Sequence, residues 1–228
     1  MKRSYFPLLI AITLLMSLSA CTKVKKEYYE DGQVKSEITY DKDLKNGPAV
    51  WYYPNGNKQM ECTFKEDKME GKVSRWFLGG TLQQEDIYKD NKKTGPTKIY
   101  DETGALVAVE NFVNDTLHGT YTEFFTNGDL NIHGRFEMGM WDSIWDYYDI
   151  RGLQVGKGDF KKGTGILTGY YWNGKVKREI HYLANKKNGV EKWFAEDGTV
   201  IKEIIFKEGL VESVITGDTT RVNQSVMQ

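Results

Sequence analysis

Apolar and polar residues alternate along Gln33–Tyr40: Val34, Ser36, Ile38 and Tyr40 fall on one side, Lys35, Glu37 and Thr39 on the other. A period of two places successive side chains on opposite faces of an extended chain. The next stretch, Pro48–Tyr53, ends in paired aromatics and runs into Pro54-Asn55-Gly56, a set of residues suited to a turn. The same passage returns along the chain. Its glycine falls at Gly32, Gly56, Gly80, Gly104, Gly128, Gly152, Gly174 and Gly198, every step being 24 residues except one of 22. Four residues before each glycine stands an aromatic: Tyr28, Tyr52, Trp76, Tyr100, Phe124, Tyr148, Tyr170 and Phe194. Eight residues after it stands another: Tyr40, Phe64, Tyr88, Phe112, Phe136, Phe160, Tyr182 and Phe206. Three residues further come Asp43, Asp67, Asn91, Asp115, Gly139, Gly163, Asn185 and Gly209, types that accept a left-handed backbone. A second glycine follows the first by 15 residues at Gly47, Gly71, Gly95, Gly119 and Gly189; Ser143 and Ser213 replace it in two units, and the short unit offers Gly165.

Two extended stretches and two turns per unit predict one β-hairpin, repeated about eight times. No segment carries a sustained helical stripe, and the abundant Tyr, Trp, Ile, Val and Thr favour strands. The expected fold is all-β: one elongated antiparallel sheet of tandem hairpins. Strands spaced about 4.8 Å apart would make it roughly 75 Å long. Each hairpin would bury its aromatics only against its neighbours, in ladders that stand in for a compact core.

YYEDGQVKSEITY, YYPNGNKQMECTF and YYWNGKVKREIHY are the cleanest copies of the unit. Their order of aromatic, glycine, glutamate-bearing strand and second aromatic resembles the MORN repeat variant, over roughly Tyr28–Ser213. The resemblance implies successive antiparallel hairpins in one long twisted sheet. Some bacterial relatives are catalogued as YwqK-type antitoxins and others as repeat-containing lipoproteins, so the resemblance speaks for fold more than for activity.

The ends read differently. Lys2 and Arg3 precede an apolar run, Tyr5–Leu18, that is too short for a membrane span. It closes on Leu18-Ser19-Ala20-Cys21, which resembles a bacterial lipobox and implies cleavage before Cys21 and lipidation of its thiol. Residues 1–20 are thus read as a signal peptide, 21–27 as lipidated cysteine and polar tether, 28–216 as the repeat domain and 217–228 as a loose tail. Each buried methylene of an acyl chain contributes about 0.8 kcal/mol to anchoring. The implied address is the bacterial cell envelope. Thr22 is not the aspartate associated with inner-membrane retention, so an outer membrane is expected where the cell has two.

Removing residues 1–20 leaves 29 basic against 32 acidic residues, a net charge of −3. That balance gives no electrostatic reason to expect nucleic acid as a partner. Cys62 is then the one cysteine besides Cys21, and a lone thiol forms no internal disulfide. It occupies the place of Ile38, Ile180 and Ile204 in other units and is read as a small buried hydrophobe.

Candidate chemistry is sparse. His118, His133 and His181 are the only histidines; His118 and His181 occupy repeat positions held elsewhere by Asn46 and Glu70 or by Thr39 and Ile205. No spacing suits a metal, and the glycines fall at hairpin turns rather than between strand and helix. No catalytic residue, metal or cofactor is therefore expected. Glu37, Glu61, Glu85, Glu179 and Glu203 recur five residues after the turn glycine and read as a solvated column paired with lysines such as Lys35 and Lys177. The most unusual stretch, Met138–Asp149, interleaves Trp141, Trp145, Tyr147 and Tyr148 with Asp142 and Asp146. Aromatic planes beside carboxylates suit a protein hot spot or stacked sugars.

The leading expectation is a non-catalytic, membrane-anchored repeat lipoprotein that presents a long β-surface to an envelope protein partner. An envelope glycan or cell-wall binding module is the alternative. An antitoxin-like role rests on family analogy alone.

Overall fold

The computed structural model describes residues 22–217 and the backbone of 220–223. The leader, Cys21 and the remaining tail residues lie outside the described residues. The described chain forms one sheet of 21 strand segments with no helix among them. Successive strands pair antiparallel, from Thr22–Tyr28 against Val34–Asp41 to Lys186–Phe194 against Val200–Lys207, and the short segments Lys68–Met69, Lys92–Lys93 and Thr116–Leu117 pair with the same strand as the segment that follows each. The sheet is therefore a continuous meander of hairpins, as the alternation requires.

All eight glycine turns have the same bonding. Gly56 N–H donates to the Tyr53 carbonyl at 2.9 Å, and Tyr53 N–H donates to the Asn57 carbonyl at 2.8 Å. Gly56 takes φ 84°, a backbone that costs an L-residue and not glycine. The Asn55 carboxamide oxygen braces the turn by accepting from Asn57 N–H at 3.1 Å. The opposite turns are two-residue connections such as Glu66-Asp67, with φ 51° and 64°, the signature of the twisted primed hairpins. Seven of the eight expected left-handed positions have positive φ; at the first turn Lys42 takes it instead of Asp43. The residue before each, including Glu66, Met138 and Ala184, is left-handed as well.

The second glycine marks a bulge. Between the pairs Tyr40–Lys45 and Ile38–Ala49 the later strand carries two extra residues, and Gly47 takes φ 122°. Ser143 adopts φ 60° at the equivalent place. Gly165 and Ser213 do not fill this role: neither has positive φ, and the hairpin from Gln154–Lys161 to Thr164–Tyr170 runs without a register shift. Loss of the two-residue bulge is why the sixth unit is 22 residues long.

Two segments differ from expectation. Thr22–Tyr28, read as a tether and the first rung, is an exposed strand paired from Thr22–Asp41 to Tyr28–Val34, because its backbone satisfies the open edge of the first hairpin. The tail beyond Gly217, read as loose, supplies the backbone of Thr220–Asn223 as a strand on Ser213–Thr216.

The core lies on the inner face, centred on one cross-strand row. Ala49 stands opposite Cys62, Val73 opposite Asp86, Trp145 opposite Gly158 and Ile180 opposite Glu191. Ala49, Cys62, Val73, Trp145 and Ile180 are buried in it, and Phe64, Ala108 and Phe160 are buried beside it on the same face. Burial pushes the Cys62 thiol up to about 11, as the hydrophobe reading requires.

Candidate interaction surface

The stretch from Trp141 to Tyr148 does not form one surface. Alternation puts Trp145 and Tyr147 on the inner face and Asp146 and Tyr148 on the other. Trp145 is 3% exposed, with its indole N–H donated to the Arg135 carbonyl at 3.1 Å. Its ring stacks on Tyr121 at 5.6 Å and meets Phe136 edge-on at 5.0 Å. Trp141, half-buried, continues the cluster to Phe160 and Tyr182 at 5.2 and 5.0 Å. Tyr147 is half-buried, and burial pushes its hydroxyl up to about 12. Burial likewise lifts Tyr121, helped by its bond to Glu123 at 2.8 Å. On the other face Asp146 accepts from the Gln154 carboxamide at 2.7 Å, and Asp142 accepts from Lys162 N–H and the Ser143 hydroxyl. The expected hot spot is thus divided: its indoles build the core, and its carboxylates brace backbone and neighbours.

Three acids enter the inner face. Asp86 is fully buried between Arg75 and Lys93, the latter at 2.9 Å, with Thr97 and Gln84 also donating. Glu191, 2% exposed, takes Arg178 and Lys187 at 2.8 and 2.9 Å and the Trp193 indole N–H at 2.7 Å. Burial opposes ionisation in both, yet the donors hold each carboxyl below its ordinary value. Glu110 has no such cage, and burial raises it. The Asp86 and Glu191 carboxylates are saturated by the chain's own cations and leave no open coordination. No group of His, Cys, Asp and Glu suited to a metal occurs among the described residues.

The histidines keep structural contacts. His118 N–H closes the bulge onto the Asn111 carbonyl at 2.8 Å, His181 Nδ1 lies 2.7 Å from the Val190 carbonyl and His133 Nδ1 lies 3.3 Å from the Thr122 hydroxyl.

The outer face carries the glutamate column. Its partners are cross-strand and local lysines rather than Lys35 and Lys177: Lys26 reaches Glu37 at 2.6 Å, Lys58 reaches Glu61 at 2.7 Å, and Lys72 pairs with Glu85. Lys177 instead lies 5.6 Å over the Tyr171 ring. Tyr52 and Tyr100 add weak hydroxyl contacts to Glu37 and Glu85 at 3.5 and 3.4 Å. The aromatics four residues before the turn glycines therefore stand on this face, opposite the buried Phe64 and Phe160. The second tyrosine of each pair ties successive turns together. The Tyr29, Tyr53 and Tyr171 hydroxyls donate to the Tyr52, Trp76 and Phe194 carbonyls at 2.6–2.8 Å. Along the turn row Trp172 is 75% exposed, with Ile150 and Leu153 at 54% and 44% on the preceding turn. Sequence reasoning treated YYWNG as punctuation and missed Trp172 as a surface feature.

This repeated hairpin with its glycine turns defines a solenoid-like class of interaction scaffold. The profile of the MORN repeat variant matches residues 23–42, 45–66, 117–137, 164–184 and 187–208. The chain is a MORN-variant repeat protein, and the turns at Gly80, Gly104 and Gly152, between the matched segments, carry the same hydrogen bonds. No curated protein matches the sequence.

Proposed function

We propose that this is a non-catalytic repeat protein whose extended β-surface binds protein partners, held at the bacterial cell envelope by lipid on Cys21. The observation that carries the interaction reading is the single-layer sheet. Its inner face is filled by the chain's own side chains, whereas the outer face and turn rows keep charged and large apolar groups exposed, including Trp172 and Leu78. A surface of spaced, half-paired charges with protruding aromatics suits protein recognition better than bond-making chemistry. Crosslinking in the native envelope, followed by identification of the joined peptides, tests the reading: specific peptides joined to outer-face or turn-row residues support it. A wild-type chain that crosslinks to nothing beyond the level of an unrelated anchored protein removes it. The anchor has a separate test. Cys21→Ala is expected to leave uncleaved, non-acylated chain, seen by mass spectrometry of the N-terminal peptide.

A further inference from the structure

Four of the five glutamates in the outer column have a lysine: Glu37, Glu61 and Glu85 as above, and Glu203 with Lys192 at 3.7 Å. Glu179 is the exception, with no ion pair or hydrogen bond to its carboxylate among the described residues. The reason lies in the repeat positions. Val176 stands where Lys58 stands, Thr168 and Ile166 where Lys26 and Lys72 stand, and Phe194 replaces the hydroxyl-bearing Tyr52 and Tyr100. Lys192 is directly opposite Glu179, but its ammonium is directed to Glu203.

A groove of about 480 Å³ opens at this place, lined by Val176, Glu179, Phe194, Glu196 and Asp197 together with Lys175. The Lys175 ammonium is tied to the Glu196 carbonyl at 2.6 Å. The second unit shows what such a site holds. There the Lys58 ammonium lies 2.7 Å from Glu61 and 5.5 Å over the Trp76 ring, so carboxylate and aromatic face share one cation.

We propose that the groove at Glu179 and Phe194 receives a lysine side chain of a protein partner, in the place that Lys58 fills within the second unit. The stem lies along Phe194 and Val176, and the ammonium meets Glu179. Trp172, on the turn whose Gly174 lines the groove, supplies an apolar contact beside it. The proposal deepens the protein-binding reading and rests on it.

The test titrates the full chain with N-acetyl-tetralysine amide and with the same peptide acetylated on every side chain, following backbone amide shifts by NMR. Saturable shifts centred on Val176, Glu179 and Phe194 are expected from the charged peptide only. Glu179→Gln should weaken binding roughly threefold to tenfold, the range of a cation–carboxylate contact with an aromatic face. Val176→Lys, which copies Lys58, should fill the groove and abolish the shifts at an unchanged melting temperature. Shifts spread equally over the turn row, or untouched by Val176→Lys, overturn the site. Envelope crosslinking separates the two levels. A partner captured equally by wild type and Val176→Lys rejects the groove and keeps the broader reading; no capture by wild type rejects the broader reading, while the titration still decides the groove.

Discussion

Where the first unit has Ala49, the fifth has Trp145, and the extra volume is taken from its cross-strand neighbours. Gly134 and Gly158 flank it, at positions that hold Ile38, Cys62 and Ile180 elsewhere; a Cβ on Gly134 would overlap the Trp145 ring. Gly134→Ala should therefore destabilise by about 1–3 kcal/mol, read as a lower midpoint in urea, and Trp145→Leu in the same chain should recover part of the loss. The burial of Trp145 was not legible from its own neighbourhood, since an indole among aspartates reads as exposed. The signal lay eleven and thirteen residues away, in two glycines on the partner strands. The caged acids carry a second residue-scale expectation. Glu191 has a lowered carboxyl value, so its contribution is fully present above about pH 5 and is lost as pH falls through that lowered value. Glu191→Gln leaves Arg178 and Lys187 without their anion. It should cost about 3 kcal/mol at pH 7 and flatten the acid limb of a melting-temperature profile below about pH 5. Glu110 works in the opposite sense: its raised value means that ionisation costs stability as pH rises through the mildly acid range, so Glu110→Gln should be neutral or stabilising at pH 7.

At the scale of the element, the two-residue turns do more than reverse the chain. Asp67 N–H donates to the Lys45 carbonyl at 2.9 Å and its carboxylate accepts from Lys45 N–H at 2.8 Å, so each turn is clamped to the preceding unit. Asn91 and Asp115 repeat the clamp on Met69 and Lys93. Gly163 has no side chain with which to do so, and Asn185 reaches past it to Trp141 N–H at 3.0 Å and the Gly139 carbonyl at 2.9 Å. A Cβ on Gly163 would lie 2.5 Å from the Asn185 carboxamide oxygen, so the glycine and the long reach require each other. Asn185→Ala should remove about 1–2 kcal/mol and selectively speed hydrogen exchange at Trp141. The strands and turns were legible because glycine, asparagine and aspartate act locally on φ. Which face each aromatic ladder occupies was not, because residues paired across a turn, such as Tyr40 and Lys45, share a face while differing in sequence parity, so the phase of the alternation changes at every turn.

For the whole molecule, a core spread along one face of a single sheet does not unfold as one compact body. The rings from Tyr121 to Tyr182 form one continuous aromatic cluster across the middle strands, whereas Thr22–Tyr28 is exposed throughout. Hydrogen exchange should accordingly be slowest across the strands of the aromatic cluster and fastest in the outer hairpins, with opening proceeding inward from the ends. Cys62 offers an independent probe: in the folded chain its buried thiol should react with iodoacetamide at pH 8 far more slowly than in urea, and the native rate should report opening of the second unit alone. The sixth unit has a further consequence, for how such a chain can be lengthened. The early units keep a common 24-residue phase and clamp only onto the unit before, so any one of them could be duplicated or exchanged as a cassette. Between Gly139 and Asn185 the clamp spans 46 residues and includes the shortened unit. A crossover within that span would leave Asn185 facing the wrong backbone. Recombination on either side of it keeps the local clamps, whereas a crossover inside costs the Asn185 bonds, so a seemingly uniform array holds one segment that is best inherited whole.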